Sequence, residues 1–312
     1  MDVISIQERG IVVKSTFVPE APAAKHDTPH PVRGVDHCFL LVRDLDSSLE
    51  QYRRLGFTVS PRGLHSAKKG TANHTIMLSD NDYFELLGVV ADTPENAPRR
   101  ALLASGGEGL YAVACRIEDA YVAKVGLAAR GIATGAVNDF DRPLTLPDGT
   151  RATAAFSTLA FEAAEVPVGI AFMCQHRTRD LVWRPELMEH ANGARALAGM
   201  GAAVDAPEAA ARRYARLFAA GRAVVIGDGW RVETGSIPVD FVTRDALGRR
   251  YDGLDTTGLA SGAFAVLQIA VADRAAAERL LAAAAIPYRT MPHGLAVSPA
   301  AASGAIIEFI GP

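Results

Sequence analysis

The chain has 312 residues, 49% of them hydrophobic and 21% charged, with a formal net charge of −3. That length suits about two ordinary domains, and the apolar content is enough for a sizeable core. Mild acidity without a Lys/Arg-rich run argues against the basic stripe of a nucleic-acid or anionic-membrane partner. No run approaches the ~18 apolar residues of a membrane-spanning helix. The opening MDVISIQERG lacks the apolar stretch of a secretory signal. Cys38, Cys115 and Cys174 have no CxxC spacing and sit in apolar runs. The expectation is a cytoplasmic protein with buried free thiols.

Residues 1–33 mix Pro, Ala and polar groups without a period and read as an N-terminal extension. From Val35 the segment VDHCFLLV predicts a buried strand. Asp44-Leu45-Asp46 supplies helix-start chemistry, Leu49, Tyr52, Arg53 and Leu55 follow at helical spacing, and Gly56 closes the helix. Strands are expected at Phe57–Ser60, Thr71–Ser79 and Tyr83–Val90, the last two joined by the turn Asp80-Asn81-Asp82. The unit is β-α-β-β-β, and it recurs. A strand at Leu110–Ile117, a helix at Ala120–Arg130 and strands to about Gln175 make the second copy. Gly106-Gly107-Glu108-Gly109 reads as the linker between them. The third has Ala196–Val204, a helix at Pro207–Ala220 with Pro at its first position, and strands near Ala223–Ile226, Trp230–Glu233 and Val239–Thr243. The fourth has Ala263–Val271, Arg274–Ala284, Ile286–Thr290, Leu295–Ser298 and Ala305–Ile310. The strand–helix joints Val42-Arg43-Asp44, Val204-Asp205-Ala206 and Val271-Ala272-Asp273 resemble one another, and so do Tyr83–Gly88 and Ile306–Gly311.

These residues carry a family resemblance. VDHCFLLVRDLDSSLEQYRRLGF resembles the opening of vicinal-oxygen-chelate proteins, and GTANHTIML followed by DYFELLGV resembles their glyoxalase-like domain. FMCQHRTRDLVWRPELMEHANGA resembles the segment joining the halves of four-module members. The resemblance spans about residues 34–312 and implies an α+β fold of four βαβββ modules, arranged as paired half-barrel sheets with helices outside. The expected pairs are 34–180 and a more degenerate 181–312. A homodimer is one arrangement the resemblance implies.

The resemblance also implies chemistry. Glyoxalases and extradiol dioxygenases of this superfamily hold a divalent metal on first and last strands of modules and act on small molecules with vicinal oxygens. His37 and Glu85 stand at such ligand positions. A carboxylate amid FELLGVV is costly to bury unless paired or metal-bound; the competing reading pairs Glu85 with Arg43, Arg53 or Arg62. A third ligand is harder to find. The matching first-strand positions fall near Leu110, Gly199 and Val266, so His190 or, next, His176 is the candidate. Such a set would suit Fe, Mn, Ni or Zn. The alternative is that both histidines bond backbone in a connecting loop. Glu308, and Asp240 in the third module, match Glu85 without a first-strand histidine. Along strand 71–79, Asn73, Thr75 and Met77 share a face and His74 points away, which makes Asn73 a substrate contact. His176 and Asn192 are further candidates for contact, and His65 for acid–base work together with Glu85. Lys68 and Lys69 are the local hint of an anion-binding patch. Two functions stay open: a metal-dependent lyase, isomerase or ring-cleaving oxygenase, and a metal-free protein of the same fold that sequesters a planar or aromatic molecule. No serine elbow, phosphate loop or dinucleotide fingerprint is present.

Overall fold

Asp44 shows how one strand hands over to one helix. It is extended, its side chain accepts a hydrogen bond from Ser47 N, and it caps α1 (Leu45–Arg54) after β1 (Val35–Val42). Asp119 does the same after β5 (Gly109–Arg116) for α3 (Ala120–Ala128). Asp273 does so after β13 (Val266–Val271) for α6 (Arg274–Ala283). After β9 (Ala194–Ala203), Ala206 stands in that place. Pro207 at the first position of α4 (Pro207–Ala215) replaces the lost cap with a pre-set φ.

The computed structural model describes residues 29–146 and 148–311. The extension expected over residues 1–33 therefore lies mostly outside the described residues. The remaining strands are β2 (Gly63–Leu64), β3 (Thr71–Met77), β4 (Tyr83–Val89), β6 (Thr134–Thr145), β7 (Arg151–Phe161) and β8 (Ile170–His176) in the first half. The second half has β10 (Arg222–Ile226), β11 (Gly229–Glu233), β12 (Val239–Val242), β14 (Tyr288–Met291), β15 (Gly294–Val297) and β16 (Ile306–Ile310). They form two eight-stranded sheets, ordered β2-β3-β4-β1-β5-β8-β7-β6 and β10-β11-β12-β9-β13-β16-β15-β14. Each sheet joins two βαβββ modules through an antiparallel pairing of their first strands, β1 with β5 and β9 with β13. The α+β architecture of four such modules in two curved, nearly closed sheets is as the sequence implied. Among the described residues no helix is long and apolar enough to cross a membrane.

Alternation along the strands sorts residues to two faces. Val35, Cys38, Leu40 and Val42 of β1 turn outward with Tyr52 and Leu55 of α1, and they share one core with Leu267, Ile269, Ile307 and Phe309 of the second sheet. The Phe57 and Phe309 rings lie 5.8 Å apart. Helices α1, α3, α4 and α6 thus sit outside the two sheets, and the two faces that bear them pack against each other. Asp82, buried in the β3–β4 turn, ties the halves further by accepting Leu197 N at 3.1 Å. Burial pushes its carboxyl up to about 7.

Three elements differ from expectation. Phe57–Ser60 bonds β3 only through Ser60, because Pro61 has no N–H to continue a ladder; the strand forms later, at Gly63–Leu64. An unexpected helix, α2 (Ala97–Gly106), takes in the first residue of the expected linker Gly106–Gly109; Gly107, at φ 85, ends it, and Gly109 already begins β5. A seven-residue helix, α5 (Arg244–Arg250), follows β12; its Thr243 cap accepts Ala246 N, and it is too short to show a period.

Candidate functional site

The pairing of β1 with β5 slips between Val35 and His37. Val35 and Cys38 stay on the outer face while Asp36 and His37 both leave it, as a bulge requires. Asp36 is 1% exposed and carries three hydrogen-bond partners, with Arg179 Nη1 a further 3.9 Å from its Oδ2. His37 Nδ1 is 3.1 Å and His176 Nε2 3.0 Å from its Oδ1, and Arg116 Nε donates to its Oδ2 at 3.0 Å. Burial alone would raise its proton affinity, but the hydrogen bonds from His176 and His37 hold the carboxyl well below the usual range. An ionised Asp36 accepts from Nδ1–H of His37, which assigns the neutral His37 ring an unprotonated Nε2. The ring is fixed by stacking on Tyr83, 4.2 Å between centroids at 16°.

His37 Nε2 faces Glu85 Oε1 at 3.9 Å. Glu85 lies on β4 opposite Thr75 of β3. Its Oε2 accepts Asn73 Nδ2 at 3.0 Å, and Asn73 Oδ1 accepts Arg142 Nη1 from β6 at 2.9 Å. Gly63 makes room for this: a Cβ there would stand 2.6 Å from both Arg142 Nη1 and Asn73 Oδ1. None of the arginines considered from sequence pairs with Glu85. Arg43 donates to Leu103 O, Arg53 pairs with Glu50 and Arg62 with Asp46.

These groups line a cavity of about 250 Å³ on the concave face of the first sheet. Its apolar walls include Phe39, Phe140, Phe156 and Phe172; its polar groups include His65, Lys69 and Arg99 besides those named. His65 Nδ1 is 2.8 Å from Thr71 Oγ1, and burial lowers its pKa to about 4, so its ring is neutral near pH 7. α2 covers one end of the concave face through Leu102 and Leu103 against Phe39, Leu41 and Leu87.

The structure therefore brings His37, Glu85, Asn73 and His65 to one cavity, and it separates the other sequence candidates from them. His190 is not a ligand beside His37. Its Nδ1 accepts Thr58 N at 3.0 Å and its Nε2 is 2.8 Å from Met77 O, so backbone occupies both nitrogens. Asn192 is 1% exposed and stays structural, donating to Leu55 O and accepting Ala194 N. His176 lies behind His37 on Asp36 rather than in the cavity wall, with Nδ1 buried and unpartnered. Sequence reasoning passed over Asp36, Phe140, Arg142 and Arg99. Asn138, Phe140 and Arg142 alternate along β6 and all face the cavity, a signal visible once that strand is placed. Arg99 belongs to α2, a helix absent from the sequence-based expectation.

The four helix caps align the modules. Counting back from Asp44, Asp119, Ala206 and Asp273, the His37 position is filled by Ala112, Gly199 and Val266, so Ala112 rather than Leu110 is the counterpart in module two. The strand registers put Phe172, Asp240 and Glu308 at the Glu85 position. Asp240 is held by Arg231 and Arg250, and Glu308 by Tyr251 and Gln268. For a metal, His37 Nε2 and Glu85 Oε1 are close enough to share one ion, and Asp36 behind Nδ1 is the usual orienting carboxylate. Among the described residues, a third protein donor, which a catalytic site of this type uses, is not brought to them. Asp36, His37 and His176 form the one His/Cys/Asp/Glu group dense enough for an ion among the described residues, and both histidines are already bonded to Asp36. The donors among the described residues do not complete a metal site.

Comparison with known proteins agrees with this architecture. A glyoxalase-like domain family matches residues 35–218. No curated protein matches the sequence. A hypothetical protein from Staphylococcus aureus aligns at TM-score 0.58 and 12% identity, over 89% of this chain and 99% of its own. A mutant 4-hydroxymandelate synthase from Streptomyces coelicolor aligns at 0.53 and 12%, over 90% and 93%. A xylose isomerase-like TIM barrel/4-hydroxyphenylpyruvate dioxygenase fusion protein aligns at 0.52 and 14%, over 94% of this chain and 51% of that one. At such identities the likeness is one of fold. With the family matched over more than half its length and this topology, the chain belongs to the glyoxalase-like proteins of the vicinal-oxygen-chelate superfamily.

Proposed function

We propose that the cavity of the first sheet takes a small oxygen-bearing molecule and that His37 moves a proton there, with Glu85 beside it. One observation carries this reading: His37 is locked by Asp36 and Tyr83 with its free Nε2 turned toward Glu85 and the cavity. That is the geometry of a base with an orienting carboxylate. As Nε2 takes a proton, Glu85 and Asp36 stabilise the imidazolium from both sides. Negative charge developing on a substrate oxygen meets Arg142, whose guanidinium uses Nη1 on Asn73, together with Lys69 and Arg99. The reaction class is proton abstraction next to a carbonyl, as in an isomerase or lyase. His65, neutral near pH 7, supports binding as a hydrogen-bonding group more than as an acid.

The second reading is sequestration without turnover, favoured by the aromatic walls and the incomplete donor set. One experiment separates the two. The protein is incubated in D2O with a panel of small 2-oxo acids and α-hydroxy ketones, and loss of C–H signal is followed by NMR. Catalysed exchange that falls at least about 100-fold in His37→Gln supports proton transfer. Exchange that is equal in both proteins contradicts it, and binding without exchange moves the assignment to sequestration.

A further inference from the structure

Two cations of the cavity, Lys69 and Arg99, have no protein counter-charge in contact among the described residues. Lys69 sits in the turn between β2 and β3, and Arg99 is the third residue of α2. Among the described residues neither side chain makes an ion pair within 4.0 Å, and Arg99 Nε is buried with no hydrogen-bond partner. Lys69 Nζ instead stands 3.4 Å from the centre of the Phe140 ring, a contact that offsets only part of the cost of leaving water. Burial lowers the proton affinity of both groups.

The two are held side by side by a fully buried residue. Asn96, at the start of α2, donates Nδ2 to Lys69 O at 2.9 Å and to Ala91 O at 2.8 Å, and its Oδ1 accepts Arg100 Nε at 3.0 Å. Turn and helix are thus stapled together, which fixes where both cations stand in advance. Two carboxylates share the cavity and neither neutralises the pair. Glu85 is engaged by Asn73 and His37, and Glu95 lies 3.8 Å from the exposed Lys68. A third cation, Arg142, is tied to Asn73.

A preorganised pair of unpaired, partly desolvated cations beside aromatic walls is a costly arrangement for the protein alone. It becomes favourable once an anion enters. We propose that Lys69 and Arg99 receive the oxyanion head of an organic acid whose planar or apolar body lies along Phe140 and Phe156. The inference rests on the reading of this cavity as the small-molecule site and adds the class of molecule.

The test uses the full chain, with benzoate, phenyl phosphate and the neutral benzamide as probes, titrated by calorimetry into wild type, Arg99→Gln, Lys69→Gln and the surface control Arg212→Gln. The expected result is that an acid binds at least tenfold more tightly than benzamide. Both cavity variants should erase that preference and Arg212→Gln should keep it. Whichever acid binds better tells carboxylate from phosphate. Equal binding of acids and amide, unchanged in the variants, would overturn the inference while leaving the cavity as a binding site. No binding by any probe would overturn both. A melting temperature of Arg99→Gln equal to or above wild type is expected for an unpaired cation, and a marked fall would show that Arg99 is structural and overturn its assignment.

Discussion

The first and second sheets run the same strand order, yet their concave faces are filled by different means. In the second, α5 lies over the face and packs Ala246, Leu247 and Tyr251 against Val242, Val266, Ala296 and Ile306. Its carboxylates at the Glu85 position are consumed: Asp240 by two arginines, Glu308 by Tyr251 Oη at 2.9 Å and Gln268 Nε2 at 2.9 Å. In the first, α2 covers only one end, and Glu85 faces a histidine across 3.9 Å beside open space. One βαβββ framework therefore holds either a satisfied polar core or an open cavity, and the difference lies in a few side chains and one helix. A buried carboxylate with complete partners is structural; one that still faces a histidine and a cavity is available for chemistry.

This comparison can be broken by substitution. The largest effect is expected at His37, where Gln should lower proton exchange by two orders of magnitude or more, about 3 kcal/mol in the barrier, with binding retained in calorimetry. Asp36→Asn should follow at roughly 10–100-fold, since it frees the His37 tautomer while Nε2 stays near Glu85; the pH–rate profile should shift, which a merely structural loss would not produce. Glu308→Ala should do the opposite. It should leave exchange unchanged and cost about 1–3 kcal/mol of stability in denaturant unfolding, because Tyr251 and Gln268 lose their buried partner.

Acid unfolding sharpens the same contrast. Burial lowers the pKa of His65 to about 4 and also lowers those of His74, His176 and His190. Below the ordinary histidine value of 6.5 the unfolded chain binds protons that the folded chain refuses. Stability should be full above pH 6.5 and fall as pH drops toward 4. Asp82, raised to about 7, opposes this with a contribution that is lost as pH rises through 7. His65→Gln should flatten the acid limb by about 2 kcal/mol, allowing for the partial exposure of His65, in unfolding measured from pH 7 to pH 4. The smallest effect is expected from Gly63→Ala. It should displace Arg142 from Asn73 and weaken binding several-fold by calorimetry while leaving the fold intact.

Much of the fold was legible because each module repeats the same local instructions. Asp44, Asp119 and Asp273 cap helices at equivalent joints, and alternation along VDHCFLLV and YFELLGV marks which residues face the cavity. The segment Phe57–Ser60 misled because its apolar run ends at Pro61, and α5 was hidden by its length. At the site, His37, Glu85, Asn73 and His65 stood out as polar residues among apolar strands. His190 could not be judged by that signal, because a loop histidine shows its backbone partners, Thr58 and Met77, only after the chain has folded. Asp36 was overlooked for a related reason. Strict alternation sends it to the outer face, and only the slip in register with β5 turns it to the same side as His37.

The most direct test of the account is the tautomer of His37 in solution. Long-range nitrogen–proton NMR on the ring, assigned by comparison with His37→Gln, reports which nitrogen carries the proton. In its neutral form the ring should carry its proton on Nδ1 toward Asp36 and leave Nε2 bare, and the Nε2 signal should shift when a small acid fills the cavity. A proton found on Nε2, or an Nε2 signal indifferent to ligand, would contradict the assignment of His37 as the proton-transferring group.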